Sequence, residues 1–153
     1  MAKSKNHDTG VLSGVGNSFI HQVIIAQITA GLMRKTQTTG KYQNYIATPE
    51  TSVAKINRTT PDILVWKNWR NNSKRVLVCA IELCWVNKVE DDKQKLIKLM
   101  ENTESLEEAF VIQMFPLTFH RIYRKKDGKP SKPVKSSRLE LFKVDLSKLL
   151  DLP

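Results

Sequence analysis

One segment constrains the fold more than any other. Val76-Leu77-Val78-Cys79-Ala80-Ile81-Glu82-Leu83-Cys84-Trp85 is apolar at nine of its ten positions and shows no inside–outside alternation. A strand of that kind is covered on both faces, so it belongs at the centre of a sheet with further layers above and below it. A chain of 153 residues has room for one such core and not for a second.

The flanking segments supply the layers. Asn17 or Ser18 offers a side-chain oxygen to cap a helix. Phe19, Ile20, Val23, Ile24, Ala26, Ile28, Leu32 and Met33 then form a broad apolar surface to about Arg34. Strands are expected over Tyr42–Val53 and over Pro61–Trp66, the second closing into a hairpin through the turn-rich Asn68–Ser73. After the central strand comes a helix over Val89–Asn102. Its Val89, Leu96, Ile97 and Met100 recur at helical spacing, and Glu90, Asp91 and Asp92 complement the dipole of its first turn. Ala109–Phe115 is a strand ended by Pro116. Phe119–Tyr123 and Leu139–Val144 read as a C-terminal hairpin around a basic loop, 125–137, and Asp145 or Ser147 caps a last helical turn. The fold class is therefore α/β: a flexible lead over residues 1–15, then a single domain over 16–153 with a central mixed sheet flanked by helices and an added C-terminal β-hairpin.

Charge narrows the partners. Lys and Arg number 25 against 15 Asp and Glu, a formal net charge of +10. Such a small basic domain suits a polyanion, usually nucleic acid. The excess is uneven: residues 120–138 hold eight basic residues and one acidic, whereas 61–119 hold eight and nine. No apolar run reaches the length of a membrane span, and the first residues lack the apolar core of a signal peptide. Cys79 and Cys84 are five apart, so on a strand they face opposite sides and cannot pair. Buried, reduced thiols in an intracellular protein are expected. His7, His21 and His120 show no metal-ligand spacing, and there is neither a Cys-x-x-Cys pair nor a Gly-rich phosphate loop. Trp66, Trp69 and Trp85 are expected to pack against neighbours and not to bind a ligand.

Glu82 is the anomaly. A carboxylate inside an apolar strand costs several kcal/mol unless it is paired or holds a metal, on the order of the penalty for an uncompensated buried ion. Asp62 opens the preceding strand. In an antiparallel hairpin the two meet at one end of the sheet, where they repel and raise one another's pKa. A hard divalent cation resolves this, since Mg²⁺ takes one or two carboxylates and completes its octahedron with water and phosphate oxygens. The competing account makes Glu82 a strand-end acid paired with a lysine or arginine for structural reasons.

Pro61-Asp62, a hairpin break, Glu82 on the next strand, an acid-capped helix and a further strand together resemble the PD-(D/E)xK nuclease superfamily, over roughly residues 17–115. The resemblance implies a restriction-endonuclease-like fold and a Mg²⁺- or Mn²⁺-dependent nuclease hydrolysing DNA phosphodiester bonds, with Asp62 and Glu82 as metal ligands. It also implies a lysine two positions after the glutamate, where this chain has Cys84, neither a cation nor a hard ligand. The lysine is then expected on a neighbouring element. Lys93, on the apolar side of the helix beside Val89, Leu96, Ile97 and Met100, is the leading candidate, and Lys88 the next. The leading helix lacks the glutamate many members carry; His21, Gln22 and Gln27 are its polar candidates.

Arg121, Arg124, Lys125, Lys126, Lys129 and Lys132 are the expected phosphate contacts. They carry charge without a base-reading pattern, so they imply affinity for nucleic acid without sequence specificity; DNA in preference to RNA is what the nuclease resemblance implies. A domain this small would cut a duplex most simply as a homodimer. The alternative function is a catalytically inactive nuclease-fold module that binds nucleic acid or a protein partner, as the loss of lysine at Cys84 suggests.

Overall fold

The computed structural model describes residues 19–38, 40–50 and 60–151. Asn17, Ser18 and most of the segment beyond Pro49 expected to extend the first strand lie outside them. Among the described residues, no helix is long and apolar enough to cross a membrane.

The chain runs α1 (Phe19–Thr38), β1 (Tyr45–Pro49), β2 (Ile63–Lys67), β3 (Val76–Cys84), α2 (Val89–Asn102), β4 (Glu108–Gln113), β5 (Thr118–Tyr123) and β6 (Val134–Lys135). Two further short strands, β7 (Arg138–Leu139) and β8 (Val144–Asp145), precede a 3₁₀ turn at Leu146–Leu149. Strands β1 to β6 lie side by side in chain order in one six-stranded sheet. All neighbours are antiparallel except β3 and β4, which are parallel and joined through α2. The described residues form an α/β fold with a mixed sheet and two helices.

Each helix covers one face. Ile24, Ile28 and Leu32 of α1 pack on Ile63, Val65, Ile81, Leu83, Phe110 and Ile112. Val89, Leu96 and Met100 of α2 pack on Leu64, Ala80, Cys84, Ala109 and Val111. Alternate residues of β3 thus feed two separate cores, which explains why its sequence carries no alternation. Cys79 and Cys84 are free thiols in opposite cores. Gly31 lets α1 approach the C-terminal turn closely, for a Cβ there would stand 2.7 Å from Leu149 Cδ2. On the same side Gln27 exchanges two hydrogen bonds with the backbone of Asp151, at 3.3 and 3.1 Å.

The C-terminal hairpin differs from the sequence expectation. The partner of β5 is β6, which lies inside the stretch expected to be loop. Leu139–Val144 is not one strand: it divides into β7 and β8, which pair with each other in a separate small sheet. The reason is Glu108, buried at the start of β4. Its carboxylate accepts the amides of Glu140 (3.0 Å) and Leu141 (2.6 Å), which would otherwise seek a strand partner. Asp145 caps the terminal turn as expected, accepting from Ser147 N at 3.0 Å.

Candidate active site

Asp62 and Glu82 come together. Ile63 pairs with Ile81, and continuing that antiparallel register by one position sets Asp62 opposite Glu82. Asp62 precedes β2, so its side chain substitutes for the backbone: Oδ2 accepts the amide of Leu83 at 2.8 Å. His21, one turn into α1 on its buried stripe, places Nε2 3.2 Å from the same oxygen. Both side chains are buried, as is Glu82. His21 thus takes the place on the leading helix that the resemblance gives to a glutamate. Gln27, another of the helix candidates, is instead committed to Asp151.

The lysine that meets Glu82 is Lys95, whereas Lys93 pairs with Glu90. Lys95 Nζ lies 3.0 Å from Glu82 Oε1, with the lysine side chain only 18% exposed. Residues two apart on a helix project about 200° apart, so 93 and 95 occupy opposite flanks of α2. The flank carrying Lys95 faces β3. Lys93 is on the flank over β5, where its ammonium meets the exposed Glu90 at 2.9 Å and acts on His120. Lys88 is exposed in the 3₁₀ turn before the helix. Beside the Lys95–Glu82 pair, Asp91, Gln94, Lys98 and Asn102 help line an open cleft of ≈ 520 Å³.

Cys84 shares this corner but does not replace the lysine. Burial, then the nearby carboxylates of Asp92, Glu82 and Asp62, push its thiol up to about 12, and it donates a hydrogen bond to Asp92. A neutral, desolvated thiol is neither nucleophile nor ligand. Asp92 is a third acid that the spacing did not single out, since on sequence it reads as a helix-dipole residue.

Asp62 and Glu82 offer the carboxylate oxygens that a hard divalent cation prefers, and both are engaged by the protein, Asp62 by Leu83 N–H and His21 and Glu82 by Lys95. Among the described residues, no three His, Cys, Asp or Glu side chains converge as a ligand set, so an all-protein cage is not what the corner offers. Mg²⁺ and Mn²⁺ do not need one, because water and phosphate oxygens complete the shell. The donors here are carboxylate oxygens, one of them oriented by a backbone amide.

The expected phosphate contacts divide. Arg121 is held by the buried Glu108 at 2.8 Å and lies over the Tyr123 ring. Arg124 donates to the carbonyls of Met100, Thr103 and Leu106 at 2.9, 2.9 and 3.0 Å, and to Gly128. That guanidinium closes the C-terminus of α2, where unpaired carbonyls favour a cation. Both guanidiniums are thus engaged by the protein itself. Lys125, Lys126, Lys129 and Lys132 are exposed, Lys125 lying 3.7 Å from Asp127. The loop bearing them is itself ordered by bonds such as Lys125 N to Lys129 O and Ser131 N to Tyr123 O.

Trp66 packs on the second core and donates to Thr48. Trp85 is 42% exposed and stacks on the exposed Phe115, with ring centroids 6.0 Å apart. Trp69 is half-buried in the β2–β3 turn. The sequence matches no known protein family and no curated protein.

Proposed function

We propose that this chain is a divalent-metal-dependent nuclease of restriction-endonuclease-like fold that hydrolyses DNA phosphodiester bonds. The observation that carries the reading is the convergence of Asp62, Glu82 and Lys95 at one end of β3, in a chain of net charge +10. The order helix, three-stranded meander, helix and parallel strand is what the PD-(D/E)xK resemblance implies, and it supports the same reading.

Mg²⁺ or Mn²⁺ held by Asp62 and Glu82 would neutralise charge on the scissile phosphate and favour deprotonation of an attacking water. The protein's own part is positional. Leu83 N–H and His21 fix the Asp62 carboxylate, so it does not have to be ordered when substrate arrives. Lys95 brings an ammonium to the edge of the open cleft, where it can leave Glu82 to orient water or to meet the charge developing on phosphate. The buried second core excludes solvent from beneath.

The test is cleavage of supercoiled plasmid and of a labelled duplex in Mn²⁺, Mg²⁺ and EDTA. Cleavage that needs metal and disappears in both Asp62→Asn and Glu82→Gln supports the reading. Equal cleavage by wild type and variants would assign the activity to a contaminant and sink it. A second reading, an inactive nuclease-fold module that binds nucleic acid, draws on one observation: Lys95 already neutralises Glu82, as a purely structural pair would. DNA binding without metal-dependent cleavage by the wild type would favour it.

A further inference from the structure

The turn joining β2 to β3 and the end of α1 enclose a cleft of ≈ 540 Å³, lined in part by Gln37, Gln43, Tyr45, Trp69 and Arg70. That volume falls within the roughly 300–1,000 Å³ of pockets that take small ligands. A smaller recess on the far side of Trp69 and Arg70 is lined by Asn44, Asn68, Asn71 and Lys74. Residues 33–46 and 66–75 together contain seven Lys and Arg and no Asp or Glu. Averaged over residues 61–119 this charge vanishes, because the acids of that stretch sit mainly on α2 and just after it.

The cleft combines planar groups with cations. The Arg70 guanidinium lies over the Trp69 ring at 4.2 Å, and the Lys67 ammonium lies 5.9 Å from the Tyr45 ring centre. The turn is pre-ordered. Asn68 adopts a left-handed conformation (φ 55°), Asn71 N and Lys74 N bond back to Asn68 O and Asn71 O, and Arg75 Nε donates to Trp69 O. Arg70 spends one donor on Gln43 O, which ties the turn to β1, and a guanidinium has five. A planar cation on an aromatic face, flanked by amides, suits an unpaired base stacked on the guanidinium, with its phosphate on the neighbouring lysines.

We infer that this cleft is a second nucleic-acid site, which anchors a single-stranded DNA segment away from the Asp62–Glu82 corner. Lys67 pairs with Val76 at the opposite end of β3 from Glu82. Six residues of strand put about 20 Å between the two. A duplex does not satisfy the site, because its bases are already stacked on one another. The choice of DNA over RNA rests on the proposed function; the binding chemistry does not.

The experiment is fluorescence anisotropy of a labelled oligo(dT) with the full chain in EDTA, on the wild type and on the Glu82→Gln background, so that absence of cleavage has no bearing on the result. Trp69→Ala should weaken binding, because the guanidinium on which the base stacks loses the ring that supports it, and Trp69→Phe should retain most of it. Arg70→Ala should weaken it by about 5- to 150-fold, the range for loss of one stacked base, and Lys74→Ala should lower the slope of log affinity against log salt by about 0.7. Blunt duplex of equal length should show neither dependence. Arg70→Ala and Lys74→Ala alter exposed side chains and decide the matter if Trp69→Ala melts early. Unchanged oligo(dT) affinity in the Arg70 and Lys74 variants overturns the inference. So does Arg70-dependent binding confined to oligo(U) or to phosphatidylserine vesicles, which would assign the cleft to RNA or to a membrane surface.

Discussion

Lys95 and Glu82 are joined across the α2–β3 contact at 3.0 Å, although 13 residues separate them in the chain. Cys84, beside Glu82 on the same face of β3, occupies the place where the resemblance expects the cation. If a lysine's role moved from strand to helix, moving it back should restore what its loss removes. Lys95→Ala should lower metal-dependent cleavage by about 10²-fold or more, in the range for a positioned charge. Lys93→Ala should leave cleavage within a few-fold of wild type. Cys84→Lys placed on Lys95→Ala should recover part of the loss, since Asp62, Glu82 and Asp92 surround that position. A double variant no better than Lys95→Ala, measured by single-turnover kinetics, argues against the exchange.

Asp62 has a structural role separable from the proposed metal binding. Asp62→Ala strands the Leu83 amide and His21, and a buried unsatisfied donor costs about 1–3 kcal/mol. Asp62→Asn keeps an acceptor and should cost less in urea unfolding. Calorimetry with Mn²⁺ should nevertheless find binding lost in both. Mn²⁺ binding by Asp62→Asn equal to wild type would place the metal elsewhere.

The thiols report on burial. Desolvation pushes Cys79 well up and Cys84 up to about 12. Alkylation by iodoacetamide at pH 8 should therefore be slow for both in the native protein and complete in urea, because the thiolate is the reacting species. Rapid labelling of Cys84 in the native state, detected by peptide mass spectrometry, would contradict the closed geometry of this corner.

Arginines and lysines around the β5–β6 hairpin should behave differently. Arg124→Ala should destabilise by about 2 kcal/mol or more, because it frees carbonyls bonded to a cation. Replacing Lys125, Lys126, Lys129 and Lys132 together should leave stability within about 0.5 kcal/mol per site, as for ordinary surface positions. It should flatten the salt dependence of duplex binding by up to about four contacts' worth, each contributing about 0.9 to the slope. Salt titration and urea melts of the two variants separate these roles.

His120 supplies a pH test. Burial first, then Lys93 and Lys135, hold its imidazole below the usual histidine range, with Glu90 opposing them. The unfolded chain therefore takes up this proton more readily than the folded one. The stabilisation is complete above the unfolded pKa of about 6.5 and is lost as pH falls below it towards the folded value. His120→Gln should flatten the rise of the urea midpoint between about pH 5 and 7. Parallel curves for wild type and variant would remove His120 from the balance.

What could be read from sequence followed from local patterns. β3 was legible because both of its faces are covered, and Val89–Asn102 because acids at its start and apolar spacing agree with its structure. The meeting of Asp62 and Glu82 followed from a hairpin between them. The pairing of Glu82 with Lys95 was not legible, since it depends on how α2 is rotated against the sheet, and positions 93 and 95 both border the apolar stripe. The division of Leu139–Val144 depends on Glu108, more than 30 residues upstream, capturing two amides. The basic β2–β3 turn was hidden by averaging, because residues close in sequence face away from the acids that cancel them in a count.

Asp62 draws on α1 through His21 and on β3 through an amide 21 residues later, while Glu82 waits for α2. No contiguous fragment of the chain contains the whole arrangement until α2 has been made and docked. During synthesis, the carboxylates emerge before the ammonium that balances Glu82, and they gain their final orientation only when three elements close together. On the proposed function, competence for cleavage is tied to the docking of α2, so products truncated before it should bind polyanions through their basic segments without cutting them.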